Sequence, residues 1–317
     1  MLSALLFALL ALGCAAPAGA APPVTADETA AQEIKLEKKE GMEHVSDSTE
    51  WEFFEAFGLK WHLPGFTFPV TLFGRQYTIR FQLYKFEVLE LIAAGLIMVI
   101  YIPLARRLSS GEPARGAWDN CFEVLLTFVR DEIAKPGIGE HDADRYVPFL
   151  WTMFLFILFN NLLGVIPFGA SPTASIYVTG ALALCVFFAI HGSGIVQMGL
   201  WHYLTSLWPH IDIPWYMWIL KPMIFVIEVV GVLVRNAVLA VRLFANMFAG
   251  HMVLATILIF IYASQRVNPA LWATITFTSV LGIVALSLLE IFVAFLQSYI
   301  FVFLTALFMG MAMHPEH

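Results

Sequence analysis

The sequence predicts an all-α polytopic membrane protein. It has five membrane-crossing helices and one amphipathic surface helix, and the last two crossings are long, inclined and paired as an antiparallel hairpin. Three observations carry this expectation. Of 317 residues, 60% are hydrophobic and 13% charged, with a mean hydropathy of +0.78, whereas a soluble domain carries about 25% charged residues. Of 17 Lys and Arg residues, 13 precede Tyr146, and only Lys221, Arg235, Arg242 and Arg266 follow it. Two apolar stretches, roughly 213–263 and 269–312, are each about twice the ~20 residues that span a bilayer.

The elements follow in order. "MLSALLFALLALGCAAPAGAAPP" has a short apolar core followed by small residues, so residues 1–21 read as a signal peptide. No basic residue precedes the core, which leaves an uncleaved anchor as the alternative, and "ALGC" loosely resembles a lipidation site at Cys14. Residues 22–85 form an exported polar N-terminal segment, in which "FTFPVTLFGRQYTIRFQLY" alternates as a hairpin does. Residues 86–317 form the membrane domain. Its first span, Glu87 to Ala105, ends at Arg106 and Arg107, and residues 105–146 hold six Lys/Arg, the basic excess of a cytoplasmic loop. Within that loop Trp118, Phe122, Leu125, Leu126, Val129 and Ile133 recur at helical spacing, with Asp119, Glu123, Arg130 and Asp131 between them. This pattern suits an amphipathic helix lying on the membrane or against a partner.

Val147–Phe168 and Ala174–Leu200 are two further spans joined by "GASPT", and the Trp- and Tyr-rich 201–218 segment suits an interface. The two long stretches are divided by "SQRVNP". Fifty helical residues extend about 75 Å against ~30 Å of hydrocarbon. No turn signal interrupts either stretch, so inclined or bent helices are expected. Five crossings place the termini on opposite sides, with the N-terminus exported and the C-terminus cytoplasmic.

Polar groups inside these stretches need a physical reason, since an isolated charge at bilayer depth costs ~2.5–3.5 kcal/mol on insertion scales. Arg242 and Asn246 are four residues apart and share a helix face; Glu228, fourteen before Arg242, falls near that face. Glu290 and Gln297, seven apart, also face together. In an antiparallel hairpin, Arg242 opposite Gln297 and His251 opposite Glu290 have position sums of 539 and 541, which centre the turn beside Asn268–Pro269. His251 lies a net half turn from Arg242 on an ideal helix, so one register serves both pairs imperfectly. Each residue also has a plainer reading. Arg242 as a structural charge would pair with Glu228 or Glu290, and His251 and Glu290 would be a buried hydrogen-bonded pair. Asn160, Asn161 and Gln297 would be packing groups, and "HGSG" at 191–194 would mark close helix contact.

Cys14, Cys121 and Cys185 offer neither a disulfide framework nor metal spacing. Neither a phosphate-cradling glycine loop nor a nucleic-acid-binding basic patch is evident. A substrate transporter would show internal repeats, and a hydrolase built on Ser193 would need a base less close in sequence than His191.

"AVRLFANMFAGH", "LSLLEIFVAFLQSYIFVFLTALFMGM" and "FNNLLGVIPF" together resemble subunit a of F-type ATP synthases, over Glu87 to the C-terminus. The resemblance implies a non-catalytic, proton-conducting stator subunit of the bacterial inner membrane, with no cofactor and no metal. Implied partners are the c-subunit ring, b-type peripheral stalk subunits, the rest of the F-type ATP synthase and membrane lipid, with no nucleic acid. Arg242 matches the family's essential arginine. Asn246, Glu228 and Gln297 fall on its polar channel positions, and His251 and Glu290 on a pair that occurs in either order across the family. Asn236 stands where some relatives have proline. The expected site is therefore Arg242, Glu228, Asn246, His251, Glu290 and Gln297.

Overall fold

The computed structural model describes residues 50–54, 59–62, 65–72, 75–82, 85–109, 116–165, 171–206, 220–265 and 268–314. The signal peptide and the expectation at Cys14 lie outside these residues. Strands β1 (Glu50–Phe54) and β2 (Leu59–His62) pair antiparallel. So do β3 (Gly65–Leu72) and β4 (Arg75–Gln82), with Gly65 opposite Gln82 and Leu72 opposite Arg75. The second pair is the hairpin that the alternating segment predicts.

From Lys85 onward the described residues are mostly helical. It runs through α1 (Lys85–Ser109), α2 (Ala117–Phe128), a π-helical turn (Val129–Ala134), α3 (Lys135–Ile138), α4 (Ala143–Val165), α5 (Ile176–Met198), α6 (Leu200–Ser206), α7 (Leu220–Ser264) and α8 (Pro269–Met313). Five helices among the described residues are long and apolar enough to cross a membrane: α1, α4, α5, α7 and α8. The expected spans agree with these to within four residues at each end, except that α7 is described from Leu220 and the expected residues 213–219 lie outside the described residues. Helices α7 and α8 have 45 residues each, about 68 Å at ~1.5 Å per residue. Length alone therefore forces them to incline or to project beyond ~30 Å of hydrocarbon.

The contacts divide the chain into two compact units. The first comprises Met1–Ala93, Asn160–Ser175 and Asn246–Ala294. Here the end of α7 returns along the start of α8: Ile261 and Ile283 are buried together, with Leu254, Ile257, Leu258 and Val284 around them. Local chemistry makes the turn. Asn268 Oδ1 accepts from the Ala270 backbone N–H at 3.0 Å, and Pro269 occupies the first helical position, where its missing N–H leaves nothing unsatisfied. Asn161 ties down the segment that precedes α5. Its Oδ1 accepts from Thr173 Oγ1 at 2.6 Å, and its Nδ2 donates to the Ala294 carbonyl at 3.4 Å. Asn161 and Asn160 are thus buried packing groups, the plainer of their readings.

The second unit comprises Ala94–Phe159, Ile176–Ala245 and Phe295–His317. The loop helix α2 is held by Arg107 donating to Asp119 at 2.6 Å and by Trp151 Nε1 donating to the Leu126 carbonyl at 2.8 Å. Arg130 grips Asp144 with two bonds, at 2.8 and 2.9 Å. That bidentate bond, with the carboxylate's charge, raises the already high pKa of the guanidinium. The amphipathic pattern resolves unevenly. Val129 and Ile133 are buried, whereas Trp118 is 78% exposed, because the buried face lies in the π-helical turn and the start of the helix turns outward. Phe128 packs on Phe295 and Tyr299 at 5.9 and 5.8 Å between ring centres.

Glycine permits the closest helix approaches. Gly199, at φ +83°, ends α5 by donating to the Ile195 carbonyl at 2.8 Å, a left-handed position that a side chain disfavours. Ser193 is buried, and a side chain on Gly194 would strike the Tyr203 ring at 2.5 Å. The "HGSG" segment thus marks tight packing, as expected. At Gly310 a Cβ would collide with the backbone carbonyl oxygen of Gly137, and at Gly137 it would meet Ala306 Cβ at 2.7 Å. Backbone cannot yield as a side-chain tip can. Gly310→Ala is therefore expected to destabilise the protein by about 1–3 kcal/mol, seen as reduced thermal stability and yield of the purified complex. A neutral outcome would mean that this contact is looser than described.

Candidate functional site

The first unit holds Asn246, His251 and Glu290, and the second holds Glu228, Arg242 and Gln297. Helix α7 carries four of the six and α8 the other two.

Arg242 is half-buried, and among the described residues it makes no ion pair or hydrogen bond. Of the two partners in the structural reading, Glu290 is not paired with it, and the side chain of Glu228 lies outside what is described. One helix face runs through Arg235, Val238, Arg242, Ala245 and Ala249, and every neighbour of Arg242 on it is exposed. Val238 is 45% and Val241 53% exposed. The guanidinium therefore lies on an open apolar surface edged with small side chains. Hydrocarbon would be a costly neighbour for it there.

Gln297 is 1% exposed and Asn246 is exposed; each is engaged within the protein. Glu228 is the ninth residue of α7, fourteen residues before Arg242.

Glu290 is 7% exposed, and its carboxylate lies over Gly250: a Cβ at Gly250 would stand 2.8 Å from Glu290 Oε1. That contact fixes the antiparallel register of the hairpin within one residue of the expected value. It also speaks to the half turn by which His251 fell out of line, because Gly250 is the residue that meets Glu290. Among the described residues no hydrogen bond joins Glu290 to His251. Instead Glu290 Oε1 and His251 Nε2 are both buried without a hydrogen-bond partner. Two such atoms in an apolar protein are expensive unless water or a proton in transit serves them.

Two residues near this pair were missed by sequence reasoning. Gly250 had a signal, since a mid-helix glycine weakens a helix by about 1 kcal/mol and calls for a packing reason. Lys85 had none, because a lysine at the start of a span reads as a boundary residue. It is 4% exposed. Among the described residues no group of three or more His, Cys, Asp or Glu side chains is placed to hold a metal ion.

The sequence matches the family described as ATP synthase A chain over residues 88–310. It is 42% identical over 233 residues to ATP synthase subunit a of Myxococcus xanthus (strain DK1622), covering 74% of this chain and 73% of that one. Over 302 residues it is 36% identical to ATP synthase subunit a 2 of Chlorobium luteolum, covering 95% and 81%. Over 292 residues it is 36% identical to ATP synthase subunit a of Chloroherpeton thalassium, covering 89% and 79%. The chain is an integral membrane protein that belongs to the ATP synthase A chain family.

Proposed function

We infer that this chain is the non-catalytic, proton-conducting stator subunit of an F-type ATP synthase. It offers two aqueous half-channels to a rotating ring of c subunits and is braced by b-type peripheral stalk subunits. The observation that carries the reading is Arg242, a cation without an ion pair among the described residues, set on an exposed apolar surface. Such a surface fits a partner that brings a carboxylate to the arginine.

The physical logic is short. A ring carboxylate can face lipid when protonated and not when ionised. Arg242 stays charged at any physiological pH, so the ionised acid is favoured opposite it and disfavoured elsewhere in the membrane. The same fixed positive charge repels a proton passing straight between the half-channels. Protons therefore enter from one side, travel on the ring and leave on the other. Each charge crossing 100 mV supplies about 2.3 kcal/mol, so several must pass for each ATP.

The orientation rests on the basic loop after α1. With that loop cytoplasmic, the N-terminus is exported and the Asn268–Pro269 turn is outside. His251, Glu290, Asn246 and Gln297 then form the outer half-channel, with Lys85 placed to bias its charge. Glu228 serves the inner one. His251 and Glu290 exchange protons through water, which suits two buried polar atoms lacking protein partners.

The test is proton conduction through the membrane sector in vesicles stripped of the catalytic head. Either His251→Ala or Glu290→Ala is expected to slow conduction by about tenfold or more. The exchanged variant, His251→Glu with Glu290→His, is expected to retain more than either single change. Equal damage from all three would refute a shared proton path.

A further inference from the structure

The second unit contains a cavity of about 630 Å³, a size that suits a small ligand. Its walls come from the segment around Gly137, from α5 at His191, from Tyr203 on α6, from α7 at Arg235 and Asn236, and from the last turns of α8. Most of its remaining lining is apolar or glycine backbone. None of the residues assigned to the proton path above lines it.

Its polar groups form an unbalanced set. Tyr203 O–H is hydrogen-bonded to His191 Nδ1. Burial raises the phenol's pKa, and an anion held at Nε2 selects the tautomer in which the hydroxyl donates to Nδ1. The imidazole N–H then sits on Nε2, which is buried without a partner. Asn236 is 6% exposed; its Nδ2 donates to the Val232 carbonyl at 3.0 Å, and its Oδ1 is buried with nothing to accept from. Arg235 touches the Gly231 carbonyl through Nε at 3.3 Å and lies 5.5 Å from the Phe308 ring centre. It makes no ion pair among the described residues. Asp142 is engaged by His314, a lining residue, at 3.1 Å. The cavity thus presents a guanidinium without an ion pair, an unpartnered imidazole nitrogen and an unmet carbonyl acceptor.

Water alone would meet the donor and the acceptor but would leave the cation unbalanced. An anion with no O–H group would leave the Asn236 acceptor unmet. The full set calls for one ligand with an anionic oxygen group and a hydroxyl. Beside the cavity, one turn before His191 and two, α5 exposes Phe188 by 65% and Leu184 by 55%, so the ligand meets an apolar surface as it leaves. Basic pockets between membrane helices on the cytoplasmic side suit anionic lipid headgroups.

We propose that this cavity binds the headgroup of an anionic glycerophospholipid, its phosphodiester held by Arg235 and His191 and its headgroup hydroxyl by Asn236, with the acyl chains along the exposed face of α5. Only the assignment to the cytoplasmic leaflet rests on the orientation proposed above. Binding itself is independent of proton conduction, so either reading can fail alone.

The test uses the purified ATP synthase complex, delipidated and reloaded with phosphatidylglycerol, phosphatidic acid or phosphatidylcholine, with bound lipid counted by native mass spectrometry. Phosphatidylglycerol is expected to be retained about tenfold better than phosphatidylcholine, which shares the phosphodiester but brings a quaternary ammonium beside Arg235 and lacks the headgroup hydroxyl. Arg235→Gln should abolish that preference and Arg235→Lys should keep most of it. Asn236→Ala should erase the advantage of phosphatidylglycerol over phosphatidic acid, which lacks the headgroup hydroxyl. Equal retention of phosphatidylcholine by the unaltered complex would overturn the proposal without any variant having to fold. Displacement of the bound lipid by millimolar inorganic phosphate would overturn it too, identifying a small-anion site instead.

Discussion

Arg242→Ala is expected to abolish ATP synthesis driven by a proton gradient while leaving an assembled complex. Without the guanidinium, an ionised ring carboxylate meets an apolar surface, at ~2.5–3.5 kcal/mol or more. With each 1.36 kcal/mol worth tenfold in rate, that amounts to at least about a hundredfold loss. Arg242→Lys keeps a charge but gives a compact ammonium with a shiftable pKa in place of the planar, permanently charged guanidinium. It should fall between alanine and the unaltered protein. Both are measured as ATP formed by inverted vesicles under an imposed gradient, with complex content quantified in the same membranes. Normal rates in Arg242→Lys would show that any cation suffices.

Gly250→Ala should come next in size, and by a different route. The added methyl would stand 2.8 Å from Glu290 Oε1, the movable tip of a side chain. The protein should therefore fold with little loss, while the carboxylate is pushed from its place. A displacement of that kind within a proton path is expected to slow conduction by roughly tenfold to a hundredfold. If Glu290 is the group affected, Gly250→Ala and Glu290→Ala should not add: the double variant should conduct as Glu290→Ala does. Additive losses would mean that Gly250 acts by some other contact. The opposite balance holds at Gly310, where backbone meets backbone and stability should suffer.

Much of this arrangement was legible in the sequence. The five spans follow from apolar runs that few charges interrupt. The sharp turn between α7 and α8 was visible because Asn268 and Pro269 are helix-start residues with a mechanism. The facing of Glu290 near position 251 followed from opposing two polar pairs about that turn. The identity of the atom opposite Glu290 was beyond that argument. A position sum places a residue to within a helical turn, and a glycine carries no side chain to draw attention to the contact. Lys85 stayed hidden for a related reason: it is buried in a unit that it shares with residues 246–294, and no local pattern encodes that. The π-helical turn at Val129–Ala134 was equally invisible, since the spacing of Phe122, Leu125, Val129 and Ile133 fits an ordinary helix as well. The cavity around Arg235 and Asn236 could be seen only once the helices were assembled, although Asn236 had already stood out at a position where some relatives have proline.

The central claim is that Arg242 both receives the ionised ring carboxylate and bars direct passage of protons between the half-channels. The second task can be isolated by fixing the ring covalently to the stator, so that no proton can cross by rotation, and measuring passive proton flux into head-stripped vesicles. With Arg242 present the locked sector should hold a gradient, and with Arg242→Ala it should leak. A locked Arg242→Ala sector that stays tight, or a locked unaltered sector that conducts, would contradict the account.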